Sequence, residues 1–185
     1  MPKIKGEPKM VAAVDPSLGS AAVAYGVVGC EPQKVSLELF TATKPMKDVE
    51  GRIARWEDHA GQMLECLKRA NPFLVMIEGY SFGSKGQATL DLAEFGGILR
   101  KFILDKFVLV EVSPSSLKKF ITGNGVAGKT EMIAEIAKRY GVMFKTNDEY
   151  DAFGLHLMAQ CYIEPKLMQN NHQREVMNKL KGLAS

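Results

Sequence analysis

The sequence predicts an α/β fold: a mixed five-stranded sheet, three antiparallel strands followed by parallel ones, with helices on its faces. Three observations predict it. Short apolar runs separated by turn residues fill the first forty positions. From Val49 the apolar spacing changes to steps of three and four. Beyond that, further apolar runs alternate with helical segments. The chain has 185 residues, 46% of them hydrophobic and 24% charged, which suits one well-buried domain and excludes a disordered scaffold.

The elements follow in order. Met10 to Val14 is an apolar run closed by Asp15-Pro16, a buried strand ending in a turn. Ala21–Val28 and Val35–Thr41 read as second and third strands, close enough for antiparallel hairpins. Val49, Ile53, Trp56, Ala60, Met63 and Leu67 mark an amphipathic helix that Asn71-Pro72 ends. Phe73–Ile77 is a fourth strand, running into Glu78-Gly79. Ala88, Leu92, Phe95, Ile98, Leu99 and Phe102 mark a second helix with Gly96-Gly97 at its middle, and Phe107–Val112 is a fifth strand. Ser115–Thr122 looks like a short helix; Met132, Ile133, Ile136, Ala137 and Tyr140 mark another, and Ala152, Leu155 and Ala159 a last. Residues 1–165 read as one domain, and 166–185 as a basic tail, helical or partly disordered.

Composition bounds the setting. Cys30, Cys66 and Cys161 are odd in number and widely spaced, which suits free thiols in a reduced, cytoplasmic protein. The basic start lacks an apolar stretch behind it, which argues against a secretory signal, and no run is long enough to span a membrane. The net charge is only +3, but residues 1–10, 113–145 and 166–181 carry +2, +4 and +3, leaving −6 on the remainder. An enzyme that holds both cations and nucleic acid needs such a separation, although ordinary surface scatter produces it too.

Four carboxylates stand out by position. Asp15 and Glu78 end apolar strands, where a buried acid is costly unless compensated. Asp148 and Asp151 are three apart at the start of the last helix and point to one face. Such oxygens are the ligands hard divalent ions select, and two ions about 4 Å apart suit phosphodiester hydrolysis. Each acid also has a plain structural reading: a turn at Asp15, a helix cap at Asp148, an exposed loop at Glu78. Glu149 points elsewhere on the helix and reads as a bystander.

Gly123 to Thr130 satisfies the Walker A pattern of nucleotide-binding loops. The segment before it, with adjacent Lys118 and Lys119, does not look like the apolar strand that a phosphate loop requires. The same atoms suit a phosphodiester: Gly123 and Gly125 allow close backbone approach, and Lys129 starts a helix with Lys118 as a second cation.

Together the segments VAAVDPSLGSAAVAYGVV, VMIEGYSFGSKGQATLDLAEFGG, VSPSSLKKFITGNGVAGKTEM and NDEYDAFGLHLMAQ resemble the RuvC-type Holliday junction resolvases of the ribonuclease H-like superfamily. The resemblance covers roughly residues 11–160. It implies that Asp15, Glu78, Asp148 and Asp151 hold two Mg²⁺ ions, with Mn²⁺ as a substitute, and that Lys129 assists at the scissile phosphate. It implies basic residues near the scissile strand at Lys118 and Lys129, a DNA-binding segment that also holds Lys119, Gly123 and Gly125. Tyr80, Phe82 and Lys85 follow Glu78 in a Gly/Ser/Lys loop, where an exposed aromatic could stack on an unpaired base and Lys85 could contact the backbone, although the aromatics could equally fold back into the core. The resemblance further implies a homodimer, formed in part through the second helix, that nicks two strands of a four-way junction. Pro-Ser-Leu-Gly after Asp15, the larger residues of Asp-Glu-Tyr-Asp-Ala-Phe-Gly and the basic tail resemble the phage-encoded branch, which would place the protein in a host cytoplasm. The competing readings are a nucleotide-binding protein using Gly123–Thr130, a non-catalytic binder of branched nucleic acid, and a ribonuclease H-like nuclease for another substrate. His59, His156 and His172 do not cluster in sequence; His156 and Trp56 read as structural.

Overall fold

The computed structural model describes residues 8–44, 48–80 and 86–182. Five strands, β1 (Met10–Asp15), β2 (Ser20–Val27), β3 (Ser36–Thr41), β4 (Leu74–Glu78) and β5 (Leu109–Val112), form one sheet in the order β3-β2-β1-β4-β5. β1, β2 and β3 are antiparallel neighbours, whereas β4 runs parallel to β1, and β5 parallel to β4. The helices are α1 (Val49–Ala70), α2 (Gln87–Leu104), α3 (Pro114–Thr122), α4 (Lys129–Tyr140), α5 (Asn147–Ile163) and α6 (Asn171–Leu180).

β1 lies at the centre, and its side chains alternate between two cores. Val11 and Ala13 face a core shared with Met76, Phe120, Phe153 and Met158. Ala12 and Val14 face one shared with Trp56, Met63, Ile77, Phe95 and Leu99 of α1, α2 and β4. This two-sided burial is why β1 and β4 read as unbroken apolar runs. Phe73, expected to open the fourth strand, is 54% exposed at its foot, beneath the Lys9 ammonium.

α5 fills the middle of the first core. Every residue from Ala152 to Cys161 is buried, because the helix lies between the sheet and α3, α4 and α6. Gly154 permits this: a Cβ there would stand 2.9 Å from Leu117 Cδ1 of α3. His156 lies within this helix, fully buried, and burial pushes its imidazole down to about 4. Trp56 is buried in the second core and donates its indole N–H to Glu94 at 3.0 Å. Residues 171–180 form a capped helix whose Val176 and Met177 join the first core.

Candidate active site

Chain direction brings the acids together. Val14 pairs with Ile77, so Asp15 and Glu78 are the next residues on two parallel strands, both at carboxyl ends. α5 points its first turn at the same place and brings Asp148 and Asp151 there. Asp148 is not the cap of that helix. Thr146 is, accepting the Glu149 N–H, while Glu149 accepts the Thr146 N–H at 2.8 Å. This reciprocal capping box occupies Glu149 and leaves Asp148 and Asp151 free for the site.

Asp15, Glu78, Asp148 and Asp151 line one cleft of about 580 Å³ together with Lys118 of α3 and Lys129, the first residue of α4. Burial, followed by the Glu78, Asp151 and Asp148 charges, holds the Asp15 carboxyl well above its usual range. Burial and Asp151 push Glu78 up to about 7. Burial pushes Asp151 up to about 6 and raises Asp148, against the opposing pull of Lys129. Asp15 and Glu78 are close enough that the charge of Glu78 adds to burial in raising the Asp15 carboxyl.

An all-carboxylate set crowded enough to retain protons fits a hard divalent cation, which would replace those protons. As the side chains are placed, no three such groups among the described residues close into a coordination shell. Closing a shell on a cation would take rotation of these side chains.

The other expected residues are placed as follows. Lys118 and Lys129 line the cleft, whereas Lys119 is directed to Glu175 of α6 at 2.8 Å. Gly123 ends α3 in the left-handed region at φ 87°. Gly125 passes so close to α3 that a Cβ would stand 3.2 Å from the Ser115 carbonyl oxygen, a structural need for glycine apart from any phosphate. Gly128, the N-cap of α4, uses no side chain to cap it, which leaves the first-turn N–H groups to outside acceptors. Tyr80 lines the cleft, but its ring lies against the Arg100 guanidinium, 4.3 Å to the centroid, and its hydroxyl donates to the Ala93 carbonyl. Phe82 and Lys85 lie outside the described residues. The element before Gly123 is the helix α3, not a strand, so the geometry of a nucleotide-binding phosphate loop is absent there.

Sequence reasoning missed Arg100 and Glu111. Their ion pair at 2.7 Å flanks the end of β4, and only sheet register brings them together.

Sheet order and strand directions are those of the ribonuclease H-like fold, with four acids and two lysines in one cleft at the strand ends. A family profile described as crossover junction endodeoxyribonuclease RuvC matches residues 11–155. This chain belongs to that family. Relatives bearing that description include proteins of Thermomicrobium roseum, 30% identical over 158 residues (83% of this chain, 92% of theirs), and Anaeromyxobacter sp. strain K, 28% identical over 164 residues (84% of each). The fold matches the Thermus thermophilus RuvC structure with a TM-score of 0.65 at 20% identity, covering 84% of this chain and 96% of that one. It also matches T. thermophilus RuvC in complex with Holliday junction substrate, with a TM-score of 0.64 at 20% identity, covering 86% and 96%. These named relatives are bacterial, and they lend no support to the phage affiliation.

Proposed function

We propose that this protein is a metal-dependent, structure-selective endonuclease that resolves four-way and related branched DNA junctions by paired phosphodiester hydrolysis. Family membership supports the reaction class. The observation that carries it to these residues is one cleft lined by Asp15, Glu78, Asp148, Asp151, Lys118 and Lys129.

The four acids hold two Mg²⁺ ions, and Mn²⁺ substitutes. When bound, the ions supply an activated water and neutralise the leaving oxygen. The chain does the rest. Asp15 and Glu78, on adjacent rigid strands, fix the floor of the site, while Asp148 and Asp151 close it from α5. Lys129 and the open N–H groups of the α4 first turn receive the phosphate, and Lys118 adds charge from the neighbouring helix. The two lysines partly offset the crowding of the carboxyls, since both lower the Glu78 and Asp151 values.

Two nicks require two sites, so the acting form is a homodimer. α2 offers a face for it: Leu90 and Leu104 are 65% and 60% exposed, with exposed Ala93 and Gly97 between them at helical spacing. Among the described residues no helix is long and apolar enough to cross a membrane, and the reading places the protein with DNA in the cytoplasm.

The test is cleavage of a labelled, immobile four-way junction, with linear duplex and an RNA–DNA hybrid as controls, in Mg²⁺ and in EDTA. Paired Mg²⁺-dependent nicks on the junction, lost in Asp15→Asn with binding retained, are expected. Tight binding without cutting would replace this reading with a binding module, and cutting confined to the hybrid would replace it with a hybrid nuclease.

A further inference from the structure

Arg100 of α2 contributes nothing to the lining of the cleft, yet its guanidinium gathers the strand end that carries Glu78. Nη2 donates to the Glu78 main-chain carbonyl at 3.0 Å, Nη1 to the Gly96 carbonyl at 3.0 Å, and Nε to Glu111 Oε2 at 2.7 Å. Its Cζ lies over the Tyr80 ring, 4.3 Å from the centroid, so the residue two positions beyond Glu78 is held by the same group. The side chain is only 14% exposed.

Two glycines make room for this arrangement. A Cβ at Gly96 would stand 2.6 Å from the Tyr80 hydroxyl oxygen and 2.8 Å from Arg100 Nη1. A Cβ at Gly79 would stand 3.0 Å from Glu111 Oε1. On the other side of the strand end, the Gly79 N–H donates to the Val112 carbonyl at 2.7 Å. Glu78 and Tyr80 are thus fixed from α2 and from β5. Neither contact uses the Glu78 carboxyl, which remains in the cleft.

We infer that Arg100 is a positioning residue for the nuclease centre, its fork setting the main chain of Glu78 and the ring of Tyr80 so that the Glu78 carboxyl faces Asp15. The inference rests on the junction-cleaving reading of that centre. A strand terminus loses its order readily, because its last carbonyl has no ladder partner beyond it. A planar guanidinium with donors in a fixed fork can bind three acceptors and still stack on a ring; an ammonium cannot. Displacing a reacting group by about 1 Å costs on the order of 10²-fold in rate. The Glu111 carboxylate offsets the charge of Arg100, and the guanidinium lies outside the cleft lining, so Arg100 itself adds no phosphate contact to DNA affinity.

The test compares wild type, Arg100→Met and Arg100→Lys. It measures single-turnover cleavage of the four-way junction against Mg²⁺ concentration, junction Kd in EDTA, and the rise in melting temperature that Mg²⁺ gives the free protein. Both variants are expected to cut 10- to 100-fold more slowly, to need several-fold more Mg²⁺ for half-maximal rate, and to bind the junction within twofold of wild type. The Mg²⁺-induced rise in melting temperature should shrink in both. Arg100→Met cutting within twofold of wild type would overturn the inference. So would a parallel fall in rate, junction affinity and melting temperature that Arg100→Lys restores, since charge and general stability would then account for the residue. Wild type that binds the junction without cutting would remove the nuclease reading instead, and the Mg²⁺-dependent melting shift would still decide whether Arg100 orders the acids.

Discussion

Asp15 and Glu78 stand side by side at the carboxyl ends of adjacent parallel strands, one step beyond the Val14–Ile77 pair, and the charge of Glu78 adds to burial in holding the Asp15 carboxyl well above its usual range. The folded chain holds protons on these groups more tightly than the unfolded chain, where carboxyls titrate near about 4. Their contribution to stability is therefore present below that value and is lost as pH rises through the folded values, about 6 for Asp151 and about 7 for Glu78. His156 acts in the opposite sense: pushed down to about 4, it loses stability as pH falls toward that value. Comparing two proteins that both keep His156 separates the effects. In EDTA at pH 8, Asp15→Asn should melt above wild type by about 3–8 °C, equivalent to roughly 1–2 kcal/mol in a domain of this size. The gap should narrow toward pH 5, and Mg²⁺ at pH 8 should raise the wild-type midpoint more than that of the variant. Wild type melting higher than Asp15→Asn in EDTA at pH 8 would show that the acids are not crowded in this way.

Lys129 sits where three carboxyls respond to its charge: it lowers Glu78, Asp148 and Asp151. Lys129→Ala should therefore do more than slow the reaction. Losing one preorganised cation at the phosphate costs about 10²-fold in rate. Losing its pull on the acids should also move the acid limb of the single-turnover pH–rate profile to higher pH, because the carboxyls then keep their protons longer. A slower variant with an unmoved limb would confine Lys129 to phosphate contact. ATP should leave the melting temperature of either protein unchanged, since a helix precedes Gly123.

Strand ends and acids were legible in the sequence because burial leaves a mark there. Val11 to Val14 is apolar on both faces, and Asp15 directly after it is conspicuous. The acids and Lys129 lie at or near element ends and needed only chain direction to converge, and Lys118 joins them from the middle of α3. What was hidden depends on partners far away in sequence. α5 is buried all round, so its sequence carries no polar face to mark which side meets the sheet. Asp148 reads as a cap, whereas Thr146 caps α5, with Glu149 reaching back to complete the capping box. Arg100 and Glu111 lie on different elements, and their meeting beneath Glu78 follows from the pairing of β4 with β5. Residues 166–181 are dominated by basic and polar side chains, and Val176 and Met177, the residues that dock α6, stand among polar neighbours.

Gly154 sets how closely α5 approaches α3, and with it the distance between the acids of one helix and Lys118 of the other. A built Cβ would be 2.9 Å from Leu117 Cδ1 and 3.4 Å from two Ile121 carbons. Leu117 is buried in a packed core and has little room to yield. Gly154→Ala should cost about 1–3 kcal/mol by overpacking, and Gly154→Val more. Leu117→Ala alone leaves a cavity and should cost about 2–4 kcal/mol. In the double variant Gly154→Ala/Leu117→Ala the added methyl meets the space vacated, so the combined loss should fall short of the sum by about 1 kcal/mol or more. Denaturant unfolding of the four proteins measures this coupling. Strict additivity would mean that the helix contact is not what Gly154 serves.

Lys119 is engaged by Glu175 of α6 at 2.8 Å, with side-chain exposures of 42% and 58%. A pair this exposed adds little to stability. Its consequence lies in DNA binding: a phosphate that reaches Lys119 must first displace Glu175, and the carboxylate itself repels the backbone. Glu175→Gln should leave the melting temperature within about 2 °C of wild type and tighten junction binding severalfold at low salt. The slope of log Kd against log salt should steepen by up to about one unit, the contribution of one additional phosphate contact. Lys119→Ala should leave the slope at or slightly below the wild-type value, because that lysine is already neutralised. If Glu175→Gln binds with wild-type affinity and slope, α6 does not restrain the DNA surface and Lys119 belongs to the α3–α6 contact alone.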